Sequence, residues 1–168
     1  MRVVFVIAKN GFRDEELFHT KEELEKEKIE TVIASTEKGL CQGKLGGTIE
    51  AELSIEEISV EEFDAIIFVG GSGAKEYFED EIALNLAREF NKKTKLVAAI
   101  CIAPSILANA GLLEGKTVTA FASEKENLTE QGAFFSGEPV EVSGNIVTAN
   151  GPKAARDFGK KIAELLNE

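Results

Sequence analysis

Short segments that are apolar throughout alternate along this chain with longer segments that repeat apolar residues at helical spacing. Strands without polar alternation are typical of a parallel sheet that is covered on both faces. The apolar segments predict four buried strands, at residues 3–8, 31–35, 65–70 and 96–101. The segments between and after them predict helices over residues 14–28, 80–91 and 103–110. This order predicts an α/β fold with a mostly parallel sheet and helices on both faces.

The C-terminal part of the chain follows a different pattern. Residues 140–143 and 146–149 flank Gly144 and Asn145, a pair typical of a tight β-hairpin. Residues 153–166 repeat apolar side chains at helical spacing and predict a final amphipathic helix. The glycine-rich residues 39–47 predict a second, minor hairpin or a loop. Because no repeat or low-complexity linker divides the chain, residues 1–168 are interpreted as a single domain.

The charge of the chain argues against two classes of partner. The formal net charge is −11, whereas nucleic-acid binding requires clustered Lys and Arg to neutralise phosphates. The same acidity disfavours binding to an anionic membrane surface. The apolar N-terminal segment is too short for a secretory leader or a membrane span, and no later apolar segment approaches about 20 residues. We therefore expect a cytoplasmic protein that binds neither nucleic acid nor membrane.

The cysteine and histidine content predicts neither a disulfide nor a metal site. Cys41 and Cys101 are the two cysteines, and a reducing compartment favours free thiols. His19 is the one histidine, and the chain contains no CxxC or HxxxH motif. A zinc site is therefore not expected, and no cofactor is predicted.

Cys101 lies where the fourth predicted strand meets the helix that begins near Pro104. Ligands of open α/β sheets bind outside the carboxyl ends of the strands, which is where this junction lies. A sharp turn from strand to helix lifts one side chain out of the sheet, as in a nucleophile elbow. The helix N-terminus is expected to lower the pKa of the thiol and raise its reactivity. A buried structural cysteine is the alternative, and the spacing alone leaves both open.

Four segments resemble the ThiJ/PfpI superfamily, which includes the parkinsonism-associated deglycase and the archaeal intracellular proteases. Residues 98–104, AAICIAP, closely resemble its nucleophile motif. Residues 12–17 (FRDEEL), 69–71 (VGG) and 146–152 (IVTANGP) match further family segments in order and approximate spacing. The resemblance covers essentially the whole chain. It implies a flavodoxin-like three-layer sandwich and assembly as a homodimer or higher homo-oligomer.

The resemblance also implies catalytic roles. Cys101 would be the nucleophile, and Glu16 matches the glutamate of the family by position. A protonated Glu16 carboxyl would donate a hydrogen bond to the Cys101 thiolate. The backbone N–H groups of Gly71 and Ile102 would form an oxyanion hole. Without the resemblance, Glu16 would be interpreted as one of many solvated glutamates.

The chain departs from the family pattern where histidines are expected. Protease-like members carry a histidine after the cysteine, where this chain has Ile102. Deglycase-like members supply one from the following strand, where Phe121 lies near the expected place. Lys75 lies near the position of a glutamate that protease-like members contribute across a subunit interface. His19, three residues after Glu16, is a candidate replacement for the missing histidine.

Three functions remain open from the sequence. The first is a glyoxalase or deglycase that acts on small reactive carbonyls, free or as protein adducts, through Cys101 and Glu16. The second is a redox-responsive protein in which Cys101 is oxidised without turnover, with Cys41 as a candidate resolving thiol. The third is a cysteine peptidase or amidase, which needs a general acid that the motifs do not supply. The absence of both family histidines favours carbonyl or redox chemistry over hydrolysis.

Overall fold

A seven-stranded sheet forms the centre of the protein, and a computed structural model describes it together with the rest of residues 1–168. In chain order the strands are β1 (Arg2–Val6), β2 (Asn10–Phe12), β3 (Glu30–Ser35), β4 (Gly39–Gly43), β5 (Thr48–Ala51), β6 (Leu53–Ser54), β7 (Ala65–Phe68), β8 (Leu96–Ile100), β9 (Thr117–Val118), β10 (Phe134–Phe135), β11 (Val140–Ser143) and β12 (Ile146–Ala149). The central sheet has the order β11-β12-β8-β7-β1-β3-β6. All neighbours in it are parallel except β11 and β12, which form the predicted C-terminal hairpin.

Five helices accompany the strands. They are α1 (Asp14–Lys26), α2 (Glu81–Lys92), α3 (Pro104–Asn109), α4 (Lys125–Glu130) and α5 (Ala155–Leu166). The predicted elements are confirmed with ends shifted by one or two residues, apart from α4 and the short strands, which the sequence pattern did not predict. No helix is both long enough and apolar enough to span a membrane.

The central sheet is covered on both faces, as its apolar strands predict. Val3 and Phe5 of β1 belong to the core on the side of α1 and α5, whereas Val4 and Val6 belong to the core on the side of α2 and α3. All four side chains are buried, because successive residues of a strand point to opposite faces. This arrangement confirms the predicted three-layer α/β sandwich.

A second, three-stranded sheet covers one end of the molecule. The glycine-rich residues 39–47 form most of a β-hairpin, in which β4 pairs with β5 and also with β2. Asp14 holds its turn, because the carboxylate accepts hydrogen bonds from the backbone N–H groups of Leu45 at 2.8 Å and Gly47 at 2.7 Å. Of the two alternatives predicted for this segment, the hairpin is the one that forms, and Cys41 lies on β4, where it is fully buried.

Gly159 allows α5 to pack closely against α1. A β-carbon at this position would lie 2.9 Å from the carbonyl oxygen of Thr20 and 2.9 Å from the Cβ atom of Glu23. Polar contacts surround this point: the Arg156 guanidinium donates to Glu23 at 2.7 Å, and the Thr20 hydroxyl donates to the Ala155 carbonyl at 3.2 Å. Since α1 carries Glu16, this packing also positions the candidate site.

The substitution Gly159→Ala should destabilise the protein. Alanine is favoured over glycine within a helix by roughly 0.5–1 kcal/mol, but forcing a methyl group against the backbone of α1 costs roughly 1–3 kcal/mol. We expect the free energy of unfolding in urea to fall by about 1 kcal/mol. Glu164→Ala, an exposed change on the same helix, should stay within about 0.5 kcal/mol of the parent. A more stable Gly159→Ala variant would contradict the close packing.

Candidate active site

Cys101 lies on a strained turn between β8 and α3. Its φ angle is +66°, in the left-handed region that costs a residue other than glycine about 1–2 kcal/mol. Two hydrogen bonds hold this conformation: the Cys101 N–H donates to the carbonyl of Ala149 at 2.9 Å, and the Cys101 carbonyl accepts from the N–H of Phe121 at 2.7 Å. The side chain is only 9% exposed. The sequence therefore predicted the position of the turn, and tertiary hydrogen bonds stabilise its geometry.

Glu16 lies in the first turn of α1, and its side chain is fully buried beside Cys101. Because Gly70 has no side chain, the Glu16 carboxyl can approach Cys101. A β-carbon on Gly70 would lie 2.5 Å from Oε1 of Glu16 and 2.6 Å from Cβ of Cys101, distances that no side chain tolerates. The glycine pair that follows β7 is evident in the sequence, but nothing in the local pattern indicates that Gly70 separates Glu16 from Cys101.

The buried carboxyl of Glu16 binds its proton unusually tightly. Neither of its oxygens has a hydrogen-bond partner of good geometry. Burial raises the pKa of Glu16 to about 7, and weaker contacts with the Cys101 thiol and the Gly70 backbone oppose this rise. Because those contacts are poorly aligned, they compensate the carboxylate only in part. Glu16 therefore exchanges its proton near neutral pH.

The expectation of a lowered thiol pKa is wrong. Burial raises the pKa of Cys101, and the negative charge of Glu16 raises it further. The backbone N–H groups of Gly71 and Ile102 act in the opposite direction, but they are outweighed. Helix α3 has six residues and begins three residues after Cys101, so its dipole contributes little. Protonation of Glu16 removes the part of this rise that its negative charge causes, whereas burial continues to raise the pKa of the thiol.

Gly71 is a second position in the site at which only glycine fits. Its φ angle is +99°, and a β-carbon would lie 2.4 Å from the backbone nitrogen of Arg13 and 2.5 Å from the carbonyl oxygen of Gly11. The backbone N–H groups of Gly71 and Ile102 both lie against the Cys101 sulfur, where they lower the pKa of its thiol. The structure thus brings the four predicted site residues together, and their catalytic roles remain predictions.

The other candidate residues make no hydrogen bond to the Glu16 carboxyl. His19 is partly exposed on α1 and makes no hydrogen bond with Cys101 or Glu16. Lys75 is exposed on the turn that follows β7. Cys41 is a free thiol in the core of the molecule, where it is inaccessible as a resolving thiol. No group of three or more His, Cys, Asp or Glu side chains is arranged to hold a metal ion.

An open cavity of about 420 Å³ lies beside the turn that carries Cys101. Its walls come from residues 120–122, from residues 150–153 after β12, and from Phe135 and Gly137. The sulfur of Cys101 does not line the cavity, but the backbone of Cys101 is hydrogen-bonded to both Phe121 and the end of β12. The family resemblance points to Phe121, as the residue near an expected histidine, whereas nothing in the sequence indicates Phe135, because β10 is too short for a periodic signal.

Comparison with known proteins agrees with this architecture. A family model described as the DJ-1/PfpI family matches residues 1–165. Two deglycases, from Pyrococcus horikoshii and Pyrococcus furiosus, are 33% and 32% identical to this chain over 166 residues, and each alignment covers 99% of both proteins. The crystal structure of a ThiJ/PfpI domain protein from Brachyspira murdochii is 38% identical, with a TM-score of 0.97 over 99% of this chain and 96% of that one.

Glu16 should make the stability of the protein depend on pH. The unfolded chain releases this proton near the ordinary pKa of 4.5, whereas the folded protein holds it to about pH 7. The free energy of unfolding should therefore fall as the pH rises through this window, by roughly 3 kcal/mol relative to Glu16→Gln. Urea unfolding of both proteins at about pH 5 and about pH 8 measures the difference.

Glu15→Gln is the matched control for this experiment. Glu15 is the neighbouring carboxylate, and its hydrogen bond with Arg13 lowers its pKa. A lowered pKa affects stability only at more acidic pH, so Glu15→Gln should keep the parent's fall in stability between about pH 5 and about pH 8. A difference between the parent and Glu16→Gln that does not change with pH would contradict the raised pKa of Glu16.

Proposed function

Since the chain belongs to the DJ-1/PfpI family, we propose that it converts small α-oxoaldehydes at Cys101, as a glyoxalase- or deglycase-type enzyme. The observation that carries this proposal is the buried Glu16 carboxyl beside Cys101, with a pKa near 7. The relatives from the two Pyrococcus species that are named deglycases support the same class of chemistry. A carbonyl that is carried as an adduct on a protein side chain is a second form of this substrate.

Glu16 can replace the histidines that the family pattern places near the cysteine. A general acid or base works best when its pKa is close to the working pH. Ile102 and Phe121 occupy the expected histidine positions and cannot transfer protons. The pKa of Glu16 meets the requirement, in the way that burial tunes carboxyl groups in other enzymes.

The first step is the attack of Cys101 on the aldehyde carbon. The Glu16 carboxylate accepts the thiol proton while the sulfur forms a bond to that carbon. The electron pair of the carbonyl bond moves to the oxygen, and this oxyanion accepts hydrogen bonds from the N–H groups of Gly71 and Ile102. Protonation of the oxygen by Glu16 completes a hemithioacetal and restores the Glu16 carboxylate.

The second step moves a proton between the two carbons of the substrate. The Glu16 carboxylate removes the proton from the former aldehyde carbon, the electron pair passes to the adjacent ketone oxygen, and that oxygen takes the proton from Glu16 to form an enediol. Glu16 then removes the proton from the hydroxyl of the first carbon and delivers it to the second carbon, which produces a thioester of a 2-hydroxy acid and restores the Glu16 carboxylate. Water then hydrolyses the thioester, which releases the 2-hydroxy acid and the Cys101 thiol. One substrate carbon is oxidised while the other is reduced. The reaction therefore needs no external oxidant or reductant and consumes only water.

The two alternative functions have less support. Peroxide reacts with thiolates that are accessible and of low pKa, whereas Cys101 is largely buried and the pKa of its thiol is raised. The relatives from the two Pyrococcus species are named deglycases rather than peptidases, and His19, the candidate general acid for a leaving amine, makes no hydrogen bond to the Glu16 carboxyl. Carbonyl chemistry requires only the Cys101–Glu16 pair.

Methylglyoxal consumption and formation of lactate test the proposal. We expect Cys101→Ser to abolish both, and Glu16→Gln to lower kcat by about 10²–10⁴-fold through loss of proton transfer. Cys41→Ala removes the other thiol and should retain the parent's activity, provided that circular dichroism shows that the variant is folded. The proposal fails if the parent consumes methylglyoxal no faster than Cys101→Ser.

The same reaction should depend on pH with a defined sign. Glu16 must be ionised to accept the thiol proton, so kcat/KM should rise as the pH increases through about 7 and then reach a plateau. The residual activity of Glu16→Gln should lack this rise. A parent profile that is flat between about pH 6 and about pH 8 would contradict the assignment of Glu16 as the base.

A further inference from the structure

The cavity beside the turn that carries Cys101 adjoins the backbone of the nucleophile, although the Cys101 sulfur does not line it. Phe121 forms one wall, and its N–H donates to the carbonyl of Cys101 at 2.7 Å. Residues 150–153 form another wall, directly after Ala149, whose carbonyl accepts the N–H of Cys101 at 2.9 Å. Both walls are therefore fixed relative to the nucleophile.

The lining of this cavity is mainly apolar. Two aromatic rings, Phe121 and Phe135, lie on its walls together with Pro152 and small apolar residues. No carboxylate lines it, and the polar side chains are the amide of Asn150 and the ammonium of Lys153, which is exposed. An apolar cavity with few polar groups selects ligands by apolar contact rather than by hydrogen bonds.

Phe121 has exposed apolar surface that a ligand in this cavity would bury. Its side chain is 49% exposed, which is unusual for a large aromatic side chain. Its Cδ1 atom lies 3.9 Å from the point that a β-carbon on Gly151 would occupy, so the ring is placed against the backbone wall opposite. A ligand ring in the cavity would cover the exposed part of Phe121 and could pack edge-to-face against it.

We infer that Phe121 determines substrate specificity, so that the enzyme favours α-oxoaldehydes with an aryl or other bulky apolar substituent over those with a methyl group. The inference rests on the proposed function for the identity of the reacting aldehyde. It extends that function, because Phe121 cannot transfer a proton and can act only through contact with the substituent. Gaining or losing apolar contact between a substituent and its pocket changes kcat/KM by about 10–200-fold.

Initial rates with phenylglyoxal and methylglyoxal test this inference. We expect Phe121→Ala to lower kcat/KM for phenylglyoxal by about tenfold and to change that for methylglyoxal by less than about threefold. Phe121→Leu, which keeps an apolar side chain, should recover part of the loss. Comparing each variant with the parent on the same substrate removes the difference in intrinsic reactivity between the two aldehydes.

Phe134→Ala is the matched control. Phe134 precedes Phe135 on β10, is 64% exposed, and does not line the cavity. This substitution removes the same side chain from the same region and should leave kcat/KM for both aldehydes unchanged. The specificity role of Phe121 is overturned if Phe121→Ala lowers kcat/KM equally for both aldehydes, or if Phe134→Ala has the same selective effect. The proposed function stands in either case.

A binding measurement separates this inference from the proposed function. Acetophenone carries the aryl group but no aldehyde, so its binding to the Cys101→Ser protein can be followed by NMR without any reaction. We expect binding that Phe121→Ala weakens about tenfold and Phe134→Ala does not change. Acetophenone that fails to bind, or that binds all three proteins equally, would overturn the inference. Failure of methylglyoxal and phenylglyoxal turnover with this binding pattern intact would instead contradict the proposed function alone.

Discussion

The contact between the buried Glu16 carboxyl and Cys101 is the constraint on which the site depends. A carboxyl without a hydrogen-bond partner is costly to bury, and the cost is lowest when the group keeps its proton. The contact exists because Gly70 leaves no side chain between the two residues. Helix α1 holds Glu16 in place through its packing against α5, with Gly159 at the closest approach.

The two acidic groups of the site, the Glu16 carboxyl and the Cys101 thiol, are electrostatically coupled. A negative charge on Glu16 disfavours the Cys101 thiolate, so both groups are not ionised together near neutral pH. When Glu16 accepts the thiol proton, as the proposed first step requires, the negative charge that disfavours the thiolate is neutralised. The left-handed backbone of Cys101 adds local strain, which the hydrogen bonds with Ala149 and Phe121 compensate.

The arrangement of Glu16 and Phe121 explains how the proposed reaction proceeds without the histidines of the family pattern. Glu16 has a pKa suited to proton transfer, so the chemistry that we propose does not need an imidazole. Phe121 then leaves an apolar wall where the family pattern expects a histidine, and that wall belongs to the cavity beside Cys101. Proton transfer and substrate contact are thus assigned to different residues, Glu16 and Phe121.

Local apolar periodicity and turn residues are enough to predict the buried parallel strands, the C-terminal hairpin and the position of Cys101 at the strand-to-helix junction. The folded chain is needed to explain the burial of Cys41 on β4, the role of Gly70, the raised pKa of the thiol and the aromatic cavity. Each of these depends on segments far apart in the chain. Desolvation, and the field of a neighbouring charge, act through space rather than along the sequence, so a local pattern cannot determine them.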